Sequence, residues 1–280
     1  TAPSELLQYL VSNFLLYLRV SGLFHLIVGM LHLYGFNLPE THNRYLLASS
    51  FTDFWRRINI YWKDFMQKVF YYPAVFRLKK LGTTNAIIVA TLYVFLMTWF
   101  LHAYQWFWLR GSTLLVWQDV LFWAILGVLV VVNSLYEMTY GRRRTLGKQV
   151  WNWRRVLSLS ARTFATFWFI CVLWSFWTAE SLADWFSLWS ALKGPYTLEV
   201  LLLPLASFLV ILIGSIPRDA GKAAAQAAGA RTAWLRERAV TVAALGLLIG
   251  ISVEGIHTQM GETVANTIHS LRSGRLSRLD

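Results

Sequence analysis

Apolar residues run through this chain in long blocks, and the blocks set its elements. Thr84 to Trp108 (TNAIIVATLYVFLMTWFLHAYQWFW) carries a single ionisable side chain, His102. At about 1.5 Å per residue the run is long enough to cross a bilayer core roughly 30 Å thick. Similar blocks lie near 115–138, 160–178, 197–215 and 239–257, and a first one runs from Leu6 to Phe36. That first block is interrupted by Arg19, Ser21-Gly22 and His25, which predicts a broken helix or two helices over 1–40. Asn37-Leu38-Pro39-Glu40 is expected to end it, because a residue before proline is pushed out of the α region. The connection 41–83 is too polar to span and too rich in Trp and Tyr for a free loop. It reads as amphipathic or re-entrant helices at the membrane interface. About five spanning helices are expected over 84–257, followed by a polar tail over 258–280.

Composition agrees with this pattern. Hydrophobic residues make up 56% of the chain and charged ones 14%, well below the quarter usual in soluble domains. The expected fold class is therefore an all-α polytopic transmembrane bundle forming a single membrane domain. The chain opens at Thr1 without a charged leader and stops after an Arg-rich stretch, so it is expected to be a fragment of a longer protein. Cys171 is the one cysteine; it excludes an intrachain disulfide and reads as a small core residue. No metal site is expected.

The net charge of +12 raises the question of nucleic acid, but the basic residues fall between apolar spans, so no nucleic-acid partner is expected. Arg44, Arg56, Arg57, Lys63, Lys68, Arg77, Lys79 and Lys80 lie in 41–83. Arg142, Arg143, Arg144, Lys148, Arg154 and Arg155 lie in 139–159, and 216–238 is basic again. The turn after the His102 span holds Arg110, and 179–196 is acidic apart from Lys193. This alternation places 41–83, 139–159 and 216–238 in the cytoplasm. Trp106, Trp108, Trp174 and Trp177 fit an aromatic belt at the membrane boundary, and the Ala/Gly run 220–230 reads as a linker.

An ionisable residue inside a span is costly and usually faces a protein interior. His102 reads in two ways, as a general base or as a histidine bonded to a carbonyl between helices. Asn59 reads as a donor to a carbonyl oxygen or as a cap or helix–helix contact. Trp55, Arg56 and Arg57 suit recognition of a phosphate or pantetheine group, or lipid headgroups and an ion pair with Asp53 or Asp64. His25 and His32 share a helix face without a third ligand, and Ser21-Gly22 suits close helix packing.

Several of these pieces, in this order, resemble the membrane-bound O-acyltransferase (MBOAT) family, in particular its bacterial alginate O-acetylase and D-alanyl transfer branch. The resemblance rests on Gly35-Phe36-Asn37-Leu38-Pro39-Glu40, on Ser50 with Phe54-Trp55-Arg56-Arg57-Ile58-Asn59-Ile60-Tyr61, and on Tyr71-Tyr72-Pro73. It continues in Trp99-Phe100-Leu101-His102 and Trp174-Ser175-Phe176-Trp177-Thr178-Ala179-Glu180-Ser181-Leu182. Together these cover roughly Leu10 to Trp189. The branch has His where this chain has Asn59, as other branches have Asn, and it has glycines beside the histidine where this chain has Leu101 and Ala103.

The resemblance implies a multi-pass protein of a bacterial inner membrane. It would move an acyl group, such as acetyl, from a thioester donor to a hydroxyl of a cell-surface polysaccharide or related acceptor. His102 would be the base, with Asn59 beside it and Trp55, Arg56 and Arg57 binding substrate. No cofactor would be tightly bound; acyl-CoA or an acyl carrier protein would be the donor. Partners would be membrane lipids, donor, acceptor and further subunits. The competing reading is a non-catalytic membrane component that binds or transports a lipid-linked or polymer substrate for a partner.

The charge pattern makes a direct prediction. In a Cys171→Ser background, single cysteines placed at Gly82 and Gly147 should be protected from a membrane-impermeant thiol reagent added outside the cell. Labelling of either from outside would reverse the expected orientation.

Overall fold

The computed structural model describes residues 2–111, 115–141 and 152–216. Among these the fold is an all-α bundle. Four stretches, Pro3–Leu33, Thr83–Leu109, Trp117–Tyr140 and Trp153–Thr178, are long and apolar enough to cross a membrane. The expected span at 239–257, the linker 220–230 and the tail 258–280 lie outside the described residues.

The first block is two helices, as expected, but its break falls elsewhere. Helix α1 (Pro3–Leu15) passes into α2 (Tyr17–Leu33) through Leu16, which keeps a right-handed helical backbone. Arg19, Ser21, Gly22 and His25 all lie inside α2. Its end also precedes the proline. Gly35 takes φ 85°, and its N–H donates to the His32 carbonyl while that of Phe36 donates to Leu31. This is a Schellman stop, which glycine permits because it pays no Cβ penalty at positive φ.

The connection 41–83 is helical, as the sequence suggests. It holds α3 (Phe51–Ile58), α4 (Ile60–Met66) and α5 (Tyr72–Leu78). Between α4 and α5 the backbone widens into a π segment over Gln67–Tyr71. Pro73 explains the widening, since it has no N–H for the carbonyl four residues back and the helix must absorb the loss. Helix α3 packs on α7 (Trp117–Tyr140), whereas the π segment and α5 pack on α6 (Thr83–Arg110). The N–H of Phe51 donates to Asn133 Oδ1 at 3.2 Å, pinning the start of α3 to α7.

Helix α8 (Trp153–Thr178) starts earlier than the apolar block suggests, because Asn152 caps it by accepting from the Arg154 N–H. It packs on α1, α7 and α10 (Glu199–Ser215). The acidic connection folds as a short helix, α9 (Leu182–Leu188), and a 3₁₀ turn over Trp189–Lys193. Phe14, 1% exposed, sits at the centre of the core, its ring 5.3–6.3 Å from those of Tyr45, Phe54, Phe167 and Trp174. Cys171 is buried there, as expected of a core residue.

Helices α6 and α7 are held together by shape. Lipid tails are as apolar as the helices, so association rests on close van der Waals packing at small residues. A Cβ built on Gly127 would stand 3.0 Å from both Cβ and Cγ of Phe95. Gly127→Leu should therefore force α6 and α7 apart and lower the thermal unfolding midpoint, with a cost of about 1–3 kcal/mol as for other overpacked cores. An unchanged midpoint in detergent would show that the contact contributes nothing to stability.

Candidate functional site

His102 lies in the last third of α6, on the face turned toward α7 and α4. Its Nδ1 is 2.8 Å from the carbonyl oxygen of Thr98, one turn back. A carbonyl can only accept, so Nδ1 carries the proton and Nε2 of the neutral ring keeps its lone pair. Two indoles flank the imidazole. The Trp62 ring meets it edge-on, with centroids 4.9 Å apart and planes at 77°. The Trp123 ring lies tilted at the same 4.9 Å. Asp119, one turn before Trp123, interacts electrostatically with His102. Its Oδ1 accepts from Trp177 Nε1 at 2.5 Å, which ties α7 to α8 beside the site.

Asn59 enters this site indirectly. It sits between α3 and α4 with an extended backbone, and its Oδ1 accepts from the Trp62 N–H at 3.1 Å. Asn59 thereby caps α4, the helix that presents Trp62 to His102. Segment 57–60 is itself clamped by backbone hydrogen bonds, Asn43 N–H to Arg57 O at 3.0 Å and Ile60 N–H to Thr41 O at 2.8 Å. Between them lies His42, 3% exposed, with Nε2 at 3.0 Å from the Tyr17 hydroxyl and Nδ1 at 2.9 Å from Thr41 Oγ1. Burial, with His25 nearby, pushes the His42 pKa down to about 4, so the ring is neutral at pH 7.

The remaining predicted residues separate. Arg56 and Arg57 line an open cleft of about 410 Å³ together with Ser49, Ser50, Asp53, Glu137, Gly141 and Arg162. Arg57 Nε donates to Asp53 at 2.7 Å, one turn back on α3, the ion pair the sequence offered as one alternative. Arg56 stands 3.8 Å from Glu137 of α7. Trp55 is not in that cleft. Its ring packs 4.7 Å from Phe95, and Phe95 in turn lies 6.4 Å from Trp123, so Trp55 belongs to the ring stack that backs His102. His25 Nδ1 bonds Ser21 O and His32 Nε2 bonds Leu38 O.

Among the described residues, the buried side-chain polar atoms without a hydrogen-bond partner are Thr52 Oγ1 and the Nε1 atoms of Trp62, Trp99, Trp123 and Trp189. A buried donor left unpaired costs about 1–3 kcal/mol. Two of these indoles are the pair that flanks His102. The sequence reading missed Trp62, Trp123 and Asp119. Spacing carries no signal for them, because they meet His102 only through the packing of α4 and α7 on α6.

Comparisons with protein-family models, with curated proteins and with solved structures give no match.

The capping role of Asn59 is separable from any chemical one. Asn59→Ala should lower the unfolding midpoint by the equivalent of about 1 kcal/mol, the usual worth of an N-cap, while Asn59→Asp, which keeps the acceptor oxygen, should stay close to the parent. Equal midpoints for Ala and Asp would mean that the cap does not hold α4 in place.

Proposed function

We propose that this chain is an acyltransferase of the MBOAT type, multi-pass in a bacterial inner membrane, with 41–83 on the cytoplasmic side. The observation that carries the reading is the setting of His102: an imidazole in an apolar span with Nδ1 held at 2.8 Å by the Thr98 carbonyl, so that in the neutral ring Nε2 is the nitrogen that can take a proton. An acceptor hydroxyl is far too weak an acid to ionise at neutral pH, so its attack on a thioester needs a group that takes the proton as the bond forms. Nε2 of His102 takes that proton while the hydroxyl oxygen bonds to the acyl carbon. The carbon–sulfur bond then breaks, and the imidazolium returns the proton to the leaving thiolate. Products are the O-acyl ester and the free thiol. Asp119 stabilises the imidazolium between those two events by its charge.

The arginine cleft supports a donor that carries phosphate. Arg56, Arg57 and Arg162 line it against Asp53 and Glu137, which gives one net positive charge and planar guanidinium donors suited to phosphate oxygens. It lies at the end of α7 that the charge pattern puts in the cytoplasm, where acyl-CoA or acyl carrier protein would approach. The acceptor is a hydroxyl of a surface polysaccharide or related polymer on the other side. Asn59 serves the reaction through Trp62.

Membranes containing the full-length protein, supplied with acetyl-CoA labelled in the acetyl group, test this. His102→Gln and His102→Ala should reduce label transfer by about 10²- to 10⁴-fold, the usual contribution of a positioned base, while insertion into the membrane fraction is unchanged. Full transfer by His102→Gln would end the general-base role and favour the non-catalytic carrier.

A further inference from the structure

We infer that the indole N–H groups of Trp62 and Trp123 form the binding site for a carbonyl oxygen beside His102, as a donor pair that polarises an acyl group. This deepens the acyl-transfer reading and rests on it for the identity of the ligand, though not for the existence of the site. The two rings come from different elements, α4 and α7, and converge on one imidazole at equal centroid distances of 4.9 Å. Trp123 is 8% exposed, and the Nε1 atoms of both rings are buried without a partner. Three other indoles find an acceptor, Trp168 in Ser207, Trp177 in Asp119 and Trp185 in Ser175; Trp99 and Trp189 are also buried without one, but neither is among the two rings that flank His102.

The chemistry of the pair selects the ligand. An indole N–H donates and cannot accept, so the site takes an acceptor oxygen and gives nothing to a hydroxyl donor or an ammonium. With a base at Nε2 alongside, the oxygen that gains most is the carbonyl of an acyl group under attack. It becomes more negative as the tetrahedral intermediate forms, and preorganised donors in a water-poor site favour that charge. The Asn59 side-chain oxygen accepts from the Trp62 N–H and so caps the helix that carries this indole. Asn59 is a positioning residue, and the donor it positions is Trp62.

The test has an arm that needs no catalysis. Protein labelled with ¹⁵N-tryptophan in lipid nanodiscs, with indole signals assigned from single Trp→Phe variants, is titrated with N,N-dimethylacetamide, which accepts hydrogen bonds but cannot donate them. The Trp62 and Trp123 indole N–H signals should move downfield together and saturably, while that of Trp189, whose ring packs on Trp185, stays in place. In the acetyl transfer assay, replacing Trp62 or Trp123 by 3-benzothienylalanine, which keeps the bicyclic ring and lacks the N–H, should lower kcat by about 10²- to 10³-fold with KM little changed. Joint movement of the two signals without any acetyl transfer supports the carbonyl site and overturns the acyltransferase reading alone. If neither signal moves, or if transfer survives both replacements within twofold, the donor pair is wrong while His102 as base is untouched.

Discussion

Helices α6 and α7 approach each other so closely at Gly127 that a single added carbon would meet Phe95 at 3.0 Å, and the site geometry depends on that approach. Phe95 and His102 are seven residues apart on α6, and Trp123 lies four residues before Gly127 on α7, so each pair shares one helix face. Bringing Gly127 against Phe95 therefore brings Trp123 against His102. Phe95 also receives the Trp55 ring at 4.7 Å, which anchors α3, and α3 leads directly into Asn59 and α4. A glycine in a membrane helix thus sets the position of a ring contributed by the polar connection.

The polar groups of the spans follow one rule with a localised exception. Thr98, Ser160 and Ser175 return their hydroxyls to carbonyls of their own helix, the least demanding way to satisfy a hydroxyl where water is scarce. Asp119 is placed in the first turn of α7, where the helix dipole favours a carboxylate, and it receives the Trp177 N–H. Around His102 the pattern differs, with two buried indole donors left open. Among the described residues, two of the five unpaired buried side-chain polar atoms belong to rings that meet at this one imidazole, the others being Thr52 Oγ1 and the indoles of Trp99 and Trp189.

Much of the bundle is legible in the sequence because hydropathy is a local property. The Thr84–Trp108 block and the helical nature of 41–83 both follow from it. What escapes it is either stereochemical or non-local. The stop at Gly35 depends on a positive φ, and the junction at Leu16 has no breaker residue to mark it. Trp174 and Trp177 read as belt residues, yet Trp174 packs 5.3 Å from Phe14 in the core and Trp177 holds Asp119. His102 was visible as an ionisable residue in a span. Its surroundings were not, because Trp62 and Asp119 lie far from it in the chain and their approach is decided by how α4 and α7 pack on α6. Asn59 was visible as a candidate, whereas its cap on α4 is a matter of backbone direction that residue type leaves open.

A histidine that merely joins helices and one that takes a proton would both bond a carbonyl, so the Thr98 contact alone does not separate them. The second nitrogen is where the two would differ. A structural imidazole in an apolar span gains most by bonding through both nitrogens, since an unmet acceptor there is as costly as an unmet donor. His42 shows that arrangement in this same chain, with Tyr17 on one nitrogen and Thr41 on the other. At His102 the bond to Thr98 engages Nδ1 alone, and the nearest rings are two indoles whose donors are themselves unmet. His42 is thus satisfied on both sides, where it clamps the segment before Asn59, whereas His102 and His25 each bond a carbonyl one turn back through Nδ1. What sets His102 apart from His25 is its pair of flanking indoles, and the proposed proton exchange rests on that setting.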